Sequence, residues 1–340
     1  NRGATLIIGS HLGRPKGSAN PAFTLQPVAD RLTQLLDCPV LFSPEATGKQ
    51  AANAVTEAEP RKIVLLENLR FHPGEEANDN EFAAALASLA DCYVNDAFGA
   101  AHRAHASTVG IVRHLNDAAA GLLMSKELSH LGSLLDSPPR PFAAVLGGAK
   151  VSGKLEVIEN LLGKVDTLLI GGAMAYTFFK SQGIQVGRSL VEDSLIDTVN
   201  AIARNADAQD VRLELPTDHV VTDRLETGAT KHTIDIRDPS IGQRLGVDIG
   251  PATISRYASA LTRARTIVWN GPMGVFEIDA FAAGTIAIAK TIAASEATSI
   301  VGGGDSVAAI GRAGVTDGIT HISTGGGASL EFLGGRRLPG

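Results

Sequence analysis

The chain has 340 residues, more than one hydrophobic core normally serves, so two domains are expected. With 44% hydrophobic and 19% charged residues, 37 glycines and 4% aromatics, it has the make-up of a globular α/β enzyme with many tight turns. A net charge of −6 argues against a nucleic-acid-binding protein, no apolar run reaches membrane-spanning length, and no signal peptide is visible. Cys38 and Cys92 form neither a disulfide framework nor a zinc spacing, so a reducing cytoplasm is the expected setting.

From the N-terminus onward, short apolar runs recur, each closed by Gly, Asn or Asp: "ATLIIGS", "KIVLLEN", "CYVNDAFG", "FAAVLGG", "TLLIGG", "VRLELPTD", "TIVWNG", "TSIVGGG" and "HISTGG". Unbroken runs of this length predict parallel strands buried on both faces. Between them "LQPVADRLTQLL", "NEFAAALASLA" and "GKLEVIENLLGKV" repeat apolar residues at the helical period. Strand alternating with helix predicts a doubly wound α/β fold. A further helical stretch, "AGLLMSKELSHLGSLL", stops at the prolines of "LLDSPPRP". The expected division is residues 1–120, a connecting helix 121–137, a second domain 138–325, and a segment 326–340 returning toward the first. The opening residues, "NRGATLIIGS", carry no Met and enter an apolar run at once, which reads as a chain entered partway through a domain.

In open parallel sheets ligands bind beyond the carboxyl ends of the strands. One polar cluster at such an end is ordinary turn chemistry; eight, several containing Arg, His, Lys or Asp, point to a site. In the first domain the clusters are basic: His11, Arg14 and Lys16 in "SHLGRPKG", Arg70 and His72 in "ENLRFHPGEE", and His102, Arg103 and His105 in "AFGAAHRAHAS". Each alone is equally explained by a surface ion pair, and Lys16 is left as one. Together they suit a compact, multiply charged anion. The spacing of His102 and His105 raises a metal site, yet no H-E-x-x-H or nearby Cys supplies the further ligands zinc needs. An anion site is the better reading, with Ser107 and Thr108 as caps for the next helix.

The second domain has Gly-rich turns at "LGGAK", "LIGGAMAY", "WNGPMG", "IVGGGDS" and "STGGGAS". Such turns either let amides approach phosphate or merely connect strands tightly. Asp305 in "GGGDS" would repel a phosphate unless magnesium lay between them, which points to Mg–nucleotide. Lys150 and Lys154 share a face if the helix has begun by then, and would neutralise charge on a transferred phosphoryl group. "GAKVSGKL" satisfies G-x-x-x-x-G-K, but Leu155 stands where a P-loop needs a hydroxyl for magnesium. The P-loop likeness is therefore accidental, and phosphate handling is spread over several strand ends.

In order, "SHLGRPKG", "ENLRFHPGEE", "YVNDAFGAAHRAHAS", "LGGAKVSGK", "GGAMAYTF", "VWNGPMGVFE", "GGGDS" and "HISTGGGASLEFL" resemble phosphoglycerate kinase, over residues 1–340. The resemblance implies two Rossmann-like, doubly wound parallel-sheet domains joined by a helix, with a cleft between them. It implies a glycolytic kinase that uses hinge closure to move a phosphoryl group reversibly between Mg-ATP or Mg-ADP and the carboxylate of 3-phosphoglycerate. The implied setting is cytoplasmic and monomeric, with small-molecule partners, Mg2+, and neither nucleic acid nor membrane. His11, Leu12, Gly13, Arg14, Arg70 and Arg103 would bind the phosphoglycerate. Lys150 and Lys154 would meet the nucleotide phosphates and the group in flight, with Gly304 and Gly326 completing the catalytic set. Gly171, Gly172 and Gly246 would line the adenine pocket, and Asn270, Pro272 and Glu277 would hold the nucleotide, Glu277 through the ribose. Gly303, Gly304 and Ser306 would meet phosphate, Asp305 the magnesium, and Gly325 to Gly327 the transferred group. A carboxylate nucleophile needs no general base, which suits a site of Lys, Arg and amides.

There are two departures. The family usually has Asp where this chain has Gly153, so a looser loop is expected there. The family's opening strand, with an "R-x-D-x-N-x-P"-like pattern, and an Arg soon after it have no counterpart. The sequence thus reads as a kinase of this family whose chain, taken from Asn1, is expected to turn over poorly, the alternative being a truncated, nucleotide-binding but catalytically impaired remnant of the same family.

Overall fold

The computed structural model describes residues 3–58 and 62–340. Two compact units emerge, one running to Ser125 and including Leu338–Gly340, the other Lys126–Arg337. Both are α/β with parallel sheets, the expected class.

In the first unit the parallel strands Leu6–Ile8, Ile63–Leu66 and Val40–Ser43 pair in that order, and Tyr93–Asn95 pairs with Ala118–Ala120. The core gathers Val64 and Leu66 with Phe82, Ala83 and Leu86 of the helix Asn80–Ala87. Asp79 starts that helix by accepting the Phe82 N–H at 2.8 Å. Burial on both faces does not extend to the second pair: Ala118–Ala120 is exposed throughout and Val94 is 57% exposed. "CYVNDAFG" reads as apolar largely because Phe98, beyond the strand, is fully buried. Leu338–Gly340 joins this unit through two bonds of Gly340, its N–H to Ala101 O and its O from Asn95 Nδ2.

The second unit holds six parallel strands in the order His321–Ile322, Thr298–Gly302, Thr266–Asn270, Phe142–Leu146, Thr167–Ile170 and Arg212–Glu214. Every residue of Phe142–Leu146 and Thr266–Asn270 is buried, as their unbroken apolar runs require. Register then places the site. Asn270 lies opposite both Leu146 and Gly302, and Leu146 opposite Ile170. Four strands thus end level, so the turns at Gly147, Gly171, Gly271 and Gly303 open along one edge.

A second sheet, antiparallel and without a signal in the apolar runs, is formed by Lys231–Asp235, Asp218–Thr222 and Leu245–Ile249. The helix Leu122–Asp136 crosses the division between the units in sequence. Its Leu131 and Leu134 are buried, and Glu127 accepts from the Thr324 N–H at 2.7 Å and lies 2.9 Å from His321 Nε2. The helix Gly327–Leu333 belongs to the second unit, where Asn160 Nδ2 donates to Leu333 O.

Candidate active site

In the first unit the basic clusters converge. Burial first, then the charges of Arg70, His105 and Arg103, hold the His11 imidazole below its ordinary pKa. Burial and Arg70 likewise lower His105. Both shifts favour the neutral ring, which leaves Arg14, Arg70 and Arg103 as the cations of the cluster. Arg70 is only 7% exposed; its Nη1 donates to Gly13 O at 2.9 Å and its Nε lies 3.4 Å from Glu76. Gly13 is required here, because at φ +66° a Cβ would strike the Phe23 ring. Leu12 contributes its carbonyl, which with Phe23 O accepts from the fully buried Asn68 side chain. Asn68 also accepts the Arg70 N–H, tying the two loops together.

Two residues depart from the sequence expectation. His72 leaves the cluster, stacking on Phe82 with ring centroids 4.0 Å apart and accepting the Gly74 N–H. Ser107 caps nothing: its N–H and hydroxyl both donate to the buried Glu75, which lies 3.7 Å from His105. Thr108 does cap the helical turn Ala106–Gly110, its hydroxyl accepting the His105 N–H in a capping box. Arg103 Nε donates to His102 Nε2 at 3.2 Å. Among the described residues no group of three or more His, Cys, Asp or Glu is placed to hold a metal ion.

In the second unit the glycines divide into two kinds. Gly147 and Gly271 face each other so closely that a Cβ on either would strike backbone of the other's turn, and Gly172 meets Gly148 in the same way. Gly171 packs on Met273, and Asn270 lies against the Cβ position of Gly303. These glycines let level strand ends interlock. Gly304 and Gly326 differ, since a Cβ there would meet nothing within 4 Å. Room for a ligand exists beside those two.

The two lysines separate. The helix begins only at Leu155, after the turn Ser152–Lys154, so Lys150 and Lys154 do not share a helical face. Lys150 is exposed and acts electrostatically on Glu192. Lys154 Nζ donates to Asn270 O at 3.3 Å and to Asn270 Oδ1. Burial pulls its pKa down to about 8, partly opposed by Asp305. Asn270 is itself fixed, donating from Nδ2 to Gly302 O at 2.8 Å.

Asp305 is exposed in the first turn of the helix Gly304–Ala313. The first amide to bond back is Val307, to Gly303 O, which leaves the N–H groups of Gly304, Asp305 and Ser306 ahead of the helical ladder. The Ser306 hydroxyl is fully buried and accepts the Gly271 N–H at 2.6 Å, so only its amide is left for a ligand.

Gly172, Gly246, Pro272, Glu277 and Asp305 line one cleft of about 210 Å³. Its walls include residues the sequence did not single out. The Tyr176 hydroxyl occupies the space a Cβ on Gly246 would take and lies 2.7 Å from His219 Nδ1. Burial pushes His219 down to about 4. Asp248 accepts the Gly284 and Ile249 N–H groups, and burial pushes it up to about 7. The signals available were the "LGVDIGP" carboxylate and the tyrosine of "GGAMAYTF"; the antiparallel sheet that brings Asp248 and His219 here had none. Gly246→Ala is expected to destabilise the second unit by about 1–3 kcal/mol through overpacking. Adding Tyr176→Phe should recover part of that loss in denaturant unfolding, and strictly additive losses would disprove the contact.

The family model for phosphoglycerate kinase matches residues 1–336. The chain is 55% identical over 341 residues to the phosphoglycerate kinase of Chlorobium chlorochromatii, covering 99% of this chain and 86% of that protein. It is 54% identical over 343 residues to that of Chlorobaculum tepidum, covering 100% and 86%. Among solved structures it is similar to phosphoglycerate kinase from Coxiella burnetii, with TM-score 0.88, 43% identity, and 98% and 84% of the two chains covered. The Pyrococcus horikoshii enzyme gives TM-score 0.83 at 36% identity, covering 99% and 85%. With ordered basic loops in one unit, level glycine turns around a cleft in the other, and these matches across its length, the chain belongs to the phosphoglycerate kinase family.

Proposed function

We propose that the first unit binds 3-phosphoglycerate through His11 to Arg14, Arg70 and Arg103, and the second binds Mg-ATP or Mg-ADP. The reaction moves a phosphoryl group reversibly between the nucleotide and the carboxylate of 3-phosphoglycerate. One observation supports the nucleotide half: Asn270, which holds Lys154, and the Gly303 turn that opens the helix Gly304–Ala313 lie at level strand ends, and Asp305 of that helix lines the cleft with Gly172, Gly246, Pro272 and Glu277.

Phosphoryl transfer asks for positioning and positive charge more than covalent help. The cleft between Gly172, Gly246 and Pro272 takes the adenine, and Glu277 takes the ribose. The amides at the start of Gly304–Ala313 donate to phosphate oxygens, aided by the helix dipole. Lys154 leaves Asn270 to neutralise charge on the moving group, Lys150 supplies a second cation, and the amides near Gly326 complete the cradle. Arg14, Arg70 and Arg103 hold the phosphate of the acceptor, whose carboxylate attacks without a base.

One exposed carboxylate with open space beside it suits magnesium, which is commonly held by one or two carboxylates and the substrate phosphates. Asp305 would hold the ion, which when bound screens the phosphate charges. The proposed setting is cytoplasmic and monomeric, with small-molecule partners, in keeping with the family and with two free cysteines. No described helix is long and apolar enough to cross a membrane.

A coupled assay with 3-phosphoglycerate and Mg-ATP tests the activity. Calorimetry tests the nucleotide half: Asp305→Ala should weaken Mg-ADP binding at least about tenfold, the scale of one charged contact. In excess chelator the same change should leave ADP binding unchanged or tighter, since the carboxylate then only repels phosphate. Equal weakening with and without magnesium would remove Asp305 from the metal.

A further inference from the structure

The loop between the two lysines is anchored at Val151, which is fully buried, but the residues on either side of it are open to solvent. Lys150, Ser152 and Gly153 are exposed, and a Cβ on Gly153 would meet nothing within 4 Å. Its turn is closed by Lys154 N–H donating to Val151 O at 2.8 Å. A single acidic side chain from elsewhere reaches it. Glu192 Oε2 accepts the Ser152 N–H at 3.0 Å and Oε1 accepts the Ser152 hydroxyl at 2.5 Å, a forked grip across 40 residues of sequence.

Glu192 is itself anchored. Its N–H donates to Oγ1 of Thr177, a buried residue of the helix Ala175–Ser181, and its carbonyl accepts from Leu195. Next to it, Asp193 pairs with Lys180 of the same helix at 2.6 Å. That helix follows the Gly171–Gly172 turn, so the strap is referenced to the wall of the nucleotide cleft. Against its own partial burial, the Ser152 hydroxyl and amide, the Val151 amide and the charge of Lys150 keep the Glu192 carboxyl below its usual pKa. It is thus an ionised acceptor throughout the neutral range.

We infer that Glu192 is a positioning residue of the phosphoryl-transfer reaction: it straps the Lys150–Lys154 loop to the nucleotide-cleft scaffold, and so fixes where the Lys154 ammonium starts. The inference rests on the lysine roles proposed above. A loop carrying a catalytic cation gains from such a strap because misplacement by about 1 Å can cost 10²-fold in rate. Gly153, with no steric need to be glycine, makes this loop dependent on it.

The test compares four full-length variants by steady-state kinetics, Mg-ADP calorimetry and thermal unfolding. Glu192→Ala should lower kcat roughly tenfold to a hundredfold while changing ADP affinity less than about threefold. Glu192→Gln, which keeps acceptor and donor atoms opposite Ser152, should retain most of kcat. Adding Gly153→Ala to Glu192→Ala, which stiffens the loop, should recover part of kcat. Ser152→Ala, which loses only the hydroxyl contact, should show a smaller fall in kcat and gives the answer even if Glu192→Ala folds poorly. Unchanged kcat in Ser152→Ala and Glu192→Ala, or equal losses in kcat and ADP affinity with no relief from Gly153→Ala, would overturn the inference. Lys154→Ala run alongside separates the levels: full turnover there sinks the lysine assignment, whereas a dead Lys154→Ala beside an unaffected Glu192→Ala sinks only the strap.

Discussion

Lys154→Ala is expected to lower turnover about 10³-fold or more, the scale of a lost cation at a transferring phosphoryl group, while weakening ADP binding far less. The ammonium rests on Asn270 O and Oδ1, and on the proposed reading it leaves them for the phosphoryl group mainly in the transition state. The pH profile gives a second check. Burial brings Lys154 down to about 8, and only the ammonium form is active, so kcat/KM should fall as pH rises above about 8. The kcat limb should lie higher, because bound phosphates favour the charged form. Stability has the opposite sign. A lysine depressed from 10.5 to about 8 costs the fold most below pH 8, and the cost disappears as pH rises through 10.5. Lys154→Met should therefore be more stable at pH 7, on the order of 2–3 kcal/mol by denaturant unfolding, and inactive. Matching losses in kcat and ADP affinity would make Lys154 a ground-state contact instead.

Arg70→Ala carries the second large effect. Its guanidinium is buried among Gly13 O, Glu76 and the charges of Arg103 and Arg14, so it is already desolvated before a ligand arrives. Truncating a buried, hydrogen-bonded charge typically costs about 2–5 kcal/mol of binding. The KM for 3-phosphoglycerate should rise by roughly 30-fold or more. Arg70→Lys should not rescue it, because one ammonium cannot keep the Gly13 contact and present a fork to phosphate. Fold stability should change little: Glu76 is half-exposed and is not stranded by the loss. Mg-ADP binding should be unaffected. An unchanged KM would leave Arg70 a purely structural tie between the Gly13 loop and its own turn.

Each of the nine apolar runs contains a strand, and the three helical stretches contain helices, because both periods are written in the local spacing of apolar residues. The antiparallel sheet of residues 218–249 escaped notice. Its strand Lys231–Asp235 is mostly exposed, so it carries no apolar run to find. The glycines of "LGGAK", "LIGGAM" and "WNGPMG" read either as phosphate contacts or as tight connections, and Gly147, Gly172 and Gly271 mainly let the turns pack on one another. Sequence could not separate the two uses, since both need the same missing Cβ. In the sequence Ser107 reads as a helix cap and Ser306 as a phosphate contact. Their hydroxyls are committed to Glu75 and to the Gly271 amide, which are distant in sequence.

By itself the sequence determined the α/β class, the basic character of the first unit's loops, the glycine character of the second's, and the family, because composition, period and ordered motifs are properties of the chain. Only the tertiary structure decided which lysine approaches Asn270, that burial and nearby arginines hold His11 and His105 below their ordinary pKa, that Tyr176 fills the space beside Gly246, and that Glu192 straps the lysine loop. Those outcomes depend on strand register, on desolvation and on charges summed through space, and residues far apart in the chain set all three.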